Sequence, residues 1–150
     1  MPYPPKLQAL VDFFSPLAEN ERRENLIAFA GAVKKHAPRD DETYAIADVR
    51  KDEECADTVG IFVRLDQAGR VHLRVSLGPE VQTLTRAMAA ILCGGLDGCT
   101  PEEILALPSG FVPLIAGGQL ARIRSQTVYY VLNRMKTACH ALRERLRAEA

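Results

Sequence analysis

Val59, Ile61, Val63 and Leu65 alternate with Gly60, Phe62 and Arg64; after Asp66-Gln67-Ala68-Gly69, Val71, Leu73, Val75 and Leu77 alternate with His72, Arg74 and Ser76. A period of two over two runs joined by a short polar link is the pattern of an antiparallel hairpin. One face of this hairpin is apolar and belongs on helices. The other carries Arg64, His72 and Arg74 and reads as a face wetted by solvent. Upstream, Thr43-Tyr44-Ala45-Ile46-Ala47-Asp48-Val49 alternates more weakly and suits a short edge strand. The expected fold class is therefore α+β, a small antiparallel sheet of about three strands packed against helices.

The remaining segments supply those helices. Leu7, Leu10, Val11 and Phe14 fall at i, i+3, i+4 and i+7, and Ser15-Pro16 should end the helix they define. A second helix is expected from Asn20, a good N-cap, with Leu26, Ile27, Ala30 and Val33 inward and Lys34 and Lys35 at its C-terminus. His36, just beyond, reads as a solvated end residue, since nothing near it in sequence pairs with it as a general base would require. Gly78-Pro79-Glu80 suits the opening of a third helix, with Val81, Leu84, Met88, Ile91 and Leu92 inward and Gly94-Gly95 as its stop. Thr100-Pro101-Glu102-Glu103 is a capping box with proline at the first helical position, leading to Ile104, Leu105 and Leu107. Residues 108–118 read as an apolar connector broken by proline and glycine. Val128, Leu132, Met135, Cys139, Leu142 and Leu146 then make one stripe along the longest helix.

At 150 residues the chain suits one domain with a core of its own. Lys plus Arg (19) equal Asp plus Glu (19), which gives no global footprint for nucleic acid or an anionic membrane. No apolar run approaches the roughly 20 residues of a spanning helix, and Met-Pro-Tyr-Pro-Pro-Lys lacks a basic stretch followed by an apolar one. A cytoplasmic location is the expectation. The cysteines, Cys55, Cys93, Cys99 and Cys139, form no CxxC pair, which disfavours a disulfide framework. A structural zinc is also disfavoured, because Cys93 and Cys99 are too far apart for a zinc knuckle and have no histidine beside them. Cys139 lies on the apolar stripe and Cys93 at the buried end of a helix, so both read as core residues.

Cys55 is different. It lies outside any apolar period, in Lys51-Asp52-Glu53-Glu54-Cys55-Ala56-Asp57, at the mouth of the first hairpin strand. Exposure makes it the candidate reactive thiol, while Asp52, Glu53, Glu54 and Asp57 disfavour its thiolate, so Cys55 needs a cation from elsewhere. From Arg39 to Asp57 eight carboxylates face three bases, a net of minus five; from Gln119 onward seven bases face two acids, a net of plus five. Arg122 and Arg124, at the start of the last helix, are the expected source of that cation. The acidic loop reads either as solvated or as a surface that faces a partner.

Several stretches carry a resemblance: Pro5-Lys6-Leu7, the Arg23 to Gly31 helix, Gly98-Cys99-Thr100-Pro101-Glu102-Glu103-Ile104-Leu105, and Leu120 through Arg124-Ser125-Gln126, with Cys55 just before Val59. In this order the chain, from about Pro5 to Leu146, resembles the SufE family, the sulfur-acceptor partners of cysteine desulfurases in iron–sulfur cluster assembly. The resemblance implies a fold shared with IscU-type scaffolds and a persulfide-forming role for Cys55. It departs from the family at four places: Glu54-Cys55-Ala56-Asp57 stands for Gly-Cys-Gln-Ser, Gly60 for a Trp, Thr127 for a Gly, and Gly78-Pro79-Glu80-Val81 for an acidic Gly-Asp-Ser-Asp turn.

What the resemblance implies is a carrier that is not itself an enzyme and holds no cofactor. Cys55 would take sulfur from a SufS-type, pyridoxal-phosphate-dependent cysteine desulfurase and pass it to a SufB-like scaffold. Arg124 would give electrostatic support or docking, and Asp52, Glu53, Glu54, Asp57 and Arg122 would meet the partner. The alternative is a diverged docking or regulatory module that binds a desulfurase or scaffold without carrying sulfur. An iron–sulfur scaffold using several cysteines fits less well, because Cys139 and Cys93 belong to the core.

Overall fold

The computed structural model describes residues 3–51, 57–124 and 126–149, with the backbone alone described at Ala121, Ile123 and Arg124. Its sheet has three antiparallel strands in the order β1 (Ile46–Lys51), β2 (Thr58–Leu65) and β3 (Val71–Leu77). The hairpin closes where the alternation breaks. Asp66 accepts from the N–H of Ala68 and Arg70, both at 2.9 Å, and Gly69 takes φ 78°, a left-handed conformation open to glycine. The pairing Val59↔Leu77, Ile61↔Val75, Val63↔Leu73 and Leu65↔Val71 puts the apolar residues of both strands on one face.

That face rests on helices. The first two are α1 (Pro5–Phe14) and α2 (Glu19–Ala32), followed by a 3-10 turn (Val33–His36). Then come α3 (Thr83–Gly95), α4 (Pro101–Leu105), α5 (Phe111–Ala116), α6 (Gly118–Arg124) and α7 (Gln126–Glu149). α3 is the centre of the packing, with Ala87 to Cys93 buried without interruption. Around it Leu7, Phe14, Val59, Ile61, Val75, Ile104, Phe111, Leu132 and Cys139 belong to one buried cluster. The expected capping box is present: Thr100 Oγ1 accepts from Glu103 N at 3.2 Å and Glu103 Oε1 from Thr100 N at 2.9 Å.

The structure moves several expected boundaries. α2 begins at Glu19 with Ala18 at the cap, so Asn20 lies in the first turn; Glu19 and Glu21 set carboxylates against the positive end of the helix instead. Ile27, expected inward, is 55% exposed, on the rim of a hollow of about 480 Å³ between α2, Leu120 and the start of α3. Pro79 does not open α3, which starts at Thr83. Gly78 to Val81 form a turn of their own, closed by Val81 N to Gly78 O at 3.2 Å, with proline at the turn position that suits its fixed φ. The apolar connector contains α5, with Pro113 in the first turn, where its missing N–H costs nothing. The longest helix begins only at Gln126, which leaves Arg122 and Arg124 on the separate α6, and Leu146 is 39% exposed.

The polar face of the sheet is less wetted than its pattern suggests. The segment before β1 folds back over it, and Glu42 accepts from Arg74 Nε at 2.9 Å and stands 3.4 Å from Arg64 Nε. Tyr44 packs on Phe62 with ring centres 5.4 Å apart, and β1 starts at Ile46 rather than at Thr43. His72 sits between two carboxylates, Asp97 at 2.6 Å from Nδ1 and Asp66 at 2.8 Å from Nε2. His36 is half-buried rather than fully solvated; burial and the Arg74 charge lower its pKa.

Gly60 explains itself here. A Cβ at that position would lie 2.3 Å from Ser76 Oγ, 2.9 Å from the Phe62 ring and 3.0 Å from Val49 Cγ2, so these three side chains fill the place where the resemblance leads one to expect a Trp.

Candidate functional site

Cys55, Asp52, Glu53 and Glu54 lie outside the described residues, so the site is defined by what holds the two ends of their loop. The chain leaves β1 at Lys51 and re-enters the sheet through Asp57 and Thr58, the last rung of the ladder being Lys51↔Thr58. The outgoing end has little apolar anchorage, since Val49, Arg50 and Lys51 are all exposed.

The return end is fixed by Asp57. Its Oδ1 accepts from Thr58 N and its Oδ2 from Glu80 N, both at 2.7 Å, which ties the start of β2 to the turn after β3. These two backbone N–H groups, with the Lys51 and Arg86 charges, hold the Asp57 carboxyl below the usual aspartate range. Arg86 completes the corner, donating from Nε to Val81 O at 2.9 Å and from Nη2 to Gly78 O.

A second fastening comes from α7. Arg134 is 3% exposed and donates from Nη1 to Val59 O and from Nη2 to Asp48 O, both at 2.7 Å. The Asp48 carboxylate lies 3.1 Å from Nη2, and the guanidinium stands over the Tyr130 ring. One side chain thus joins both strands that flank the loop. Arg145 adds a bond to Ala45 O at 2.6 Å, so the basic helix and the acidic segment do meet, largely through main-chain carbonyls.

The first turn of α7 lies in the same quarter. Thr85 and Thr127 share a hydrogen bond of 2.6 Å, and Thr85 is 1% exposed. Asp57 and Thr127 therefore stand around the same first turn of α3, one beside Arg86 and the other on Thr85. Arg122 is exposed on α6. The expected neighbourhood of Arg122, Arg124 and Cys55 involves side chains beyond the described ones.

The other three thiols are core residues. Cys93, Cys99 and Cys139 are all buried, and burial pushes them up to about 12, 11 and 12. At neutral pH they are protonated and shielded. Among the described residues no group of three or more His, Cys, Asp or Glu side chains is placed to hold a metal ion. Among them, too, no helix is long and apolar enough to cross a membrane.

Two members of this site carry little signal in the sequence. Arg134 is one base among seven, yet it follows Val131 by three residues and precedes Ala138 by four, a row that marks it as inward. The Asp57–Gly78 contact joins residues distant in the chain with no local signal.

Residues 8–139 match the model of the SufE family, the Fe-S metabolism associated domain. With that match covering most of the sequence, on an α+β fold, the chain belongs to the SufE family and to iron–sulfur metabolism. It is also 33% identical over 124 residues to the chloroplastic quinolinate synthase of Oryza sativa subsp. japonica. That match takes in 81% of this chain and 16% of the relative, so the chain spans about a sixth of that protein's length. The solution structure of a hypothetical protein from Thermus thermophilus has the same fold, with a TM-score of 0.73 over 93% of this chain and 96% of that one at 23% identity.

Proposed function

We propose that the chain is a persulfide carrier for a cysteine desulfurase, with Cys55 as the acceptor. The observation that supports this most is the fate of the other thiols: Cys93, Cys99 and Cys139 are buried and held protonated, which leaves sulfur chemistry to Cys55. Family membership supplies the context.

The transfer step balances without a cofactor on this chain. The Cys55 thiolate attacks the outer sulfur of a persulfide on a SufS-type, pyridoxal-phosphate-dependent desulfurase. A new S–S bond forms at Cys55, the S–S bond on the desulfurase breaks, and its cysteine leaves as a thiolate that takes up the proton lost by Cys55. A SufB-like scaffold then receives the sulfur by the same kind of exchange. This chain contributes an accessible thiol, a cation to populate its thiolate, and a docking surface, and catalyses no turnover by itself. Arg124 is the proposed cation, with Arg122, Asp52, Glu53, Glu54 and Asp57 meeting the partner in a reducing, cytoplasmic setting.

The test is stimulation of the desulfurase by wild type and Cys55→Ser at equal binding. Loss of stimulation in the variant is expected. Full stimulation by Cys55→Ser would instead make the chain a docking module. For Arg124→Ala, the expected result is a higher pH midpoint for Cys55 alkylation; an unchanged midpoint removes Arg124 from the site.

A further inference from the structure

We infer that Arg134 is a positioning residue for Cys55, clamping together the two strands that precede and follow it in the chain. The inference rests on the carrier role proposed for Cys55, and its physical part stands on contacts remote from that thiol.

Three observations carry it. First, Arg134 reaches both sides of the loop: Asp48 lies three residues before Lys51 on β1, and Val59 lies two residues after Asp57 on β2, and each gives a carbonyl at 2.7 Å. Second, the site asks for an apolar side chain and receives a guanidinium. Val131, Leu132, Met135 and Ala138 around it on α7 are all buried, and a charge in such a place carries a desolvation cost that a leucine or methionine would not. Among the described residues its Nε has no hydrogen-bond partner, while its two terminal nitrogens hold both strands. Third, β1 has little else to hold its end. Its last three residues, Val49, Arg50 and Lys51, are exposed, and beyond the ladder to β2 the fastenings of Asp48 among the described residues are to Arg134 and to Arg50 at 3.4 Å, itself exposed.

A planar donor fork that takes one carbonyl from each strand and a carboxylate as well fixes their spacing and their slide past each other, which a lysine cannot do with a single nitrogen. Asp57 pins the return end on the other side. Together they fix Lys51 and Asp57, the described residues on either side of Cys55 in sequence, and a nucleophile with fixed flanks reaches its target in fewer wrong orientations. Arg134 should therefore govern the rate of sulfur transfer to Cys55 and leave partner affinity, which depends on exposed charge, largely alone.

The test compares wild type, Arg134→Met, Arg134→Lys and Asp48→Asn in the full chain. The first readout is hydrogen exchange of the backbone amides from Val49 to Lys51, with exchange at the far end of the hairpin, around Arg70, as control. The second is the time course of sulfur loading from a SufS-type desulfurase charged with cysteine, beside the affinity for that desulfurase.

Faster exchange in β1 by roughly tenfold in Arg134→Met, with a comparable loss in loading rate, unchanged affinity and partial recovery in Arg134→Lys, is expected. Unchanged β1 exchange overturns the clamp. Faster exchange with a wild-type loading rate overturns the positioning role. Should Arg134→Met fail to fold, Arg134→Lys and Asp48→Asn carry the same comparison. A wild type that takes up no sulfur refutes the carrier reading itself, a result distinct from either failure of the clamp.

Discussion

Asp57 and Gly78 are packed so closely that a Cβ on residue 78 would fall 2.2 Å from the Asp57 carboxylate carbon. Gly78 has an ordinary backbone conformation, the positive φ values among the described residues being at Gly69, Gly98 and Gly117, so glycine is required there for space. The missing side chain lets the Asp57 carboxylate reach Glu80 N and close the corner where the loop returns to the sheet.

Gly78→Ala should therefore push that carboxylate off its two backbone donors. A fall in Tm of about 2–4 °C is expected, with sulfur transfer impaired more than stability. Thermal melts beside loading rates check this, and an unchanged Tm would show that the corner yields without loss.

Acid should weaken the fold. Asp57 is held low by Glu80 N and Thr58 N, Asp66 by His72 and Arg70 N, and Glu42 by Arg74 and Tyr44. For Asp97, burial acts upward but His72 and Lys6 outweigh it. Each carboxyl has a lower pKa folded than unfolded, so the unfolded chain binds protons first as pH falls. The stabilisation is complete above the unfolded values near 4 and is lost as pH drops through the folded ones. Burial and the Arg74 charge lower the His36 pKa in the fold, so the unfolded chain also takes up that proton first below about pH 6.5. Tm measured from pH 7 to pH 3 should decline slightly through the histidine range and steeply below about pH 4.5. A Tm that rose in acid would contradict these assignments.

The Thr85–Thr127 bond offers a different kind of test. Thr127→Val keeps the shape and leaves the buried Thr85 hydroxyl without this partner, a loss of about 1–3 kcal/mol. Urea unfolding measures it, and a change under about 0.5 kcal/mol would mean that the Thr85 hydroxyl finds another partner.

Alkylation separates the cysteines. In native protein at pH 8, iodoacetamide should label Cys55 and spare Cys93, Cys99 and Cys139, whose thiols burial has raised to between about 11 and 12. Denaturation should expose all four. Native labelling of Cys93 would contradict its place at the buried end of α3.

What was legible in the sequence was what local period and local chemistry encode. The hairpin, the stripe from Val128 to Leu142 and the Thr100 capping box follow from side-chain alternation, helical spacing and a four-residue motif. Boundaries decided by tertiary partners were not legible. Pro79 looks like a helix start until Asp57 takes Glu80 N, and Ile27 looks inward until α6 leaves a hollow beside it. The sheet face of Arg64, His72 and Arg74 looks wet because Glu42, Asp66 and Asp97, which pair with it, are 6 to 32 residues away. Cys55, the sequence's candidate by its lack of period, lies outside the described residues, while Arg134 was hidden because charge in a helical stripe is normally read as the solvated edge.

The central claim, that Cys55 receives sulfur, is tested most directly by an intact mass spectrum. Wild type and Cys55→Ser are incubated anaerobically with a SufS-type desulfurase and free cysteine. The carrier reading predicts the added mass of sulfur on wild type and none on the variant. No added sulfur on wild type, with binding to the desulfurase still detectable, would contradict it and leave a docking module.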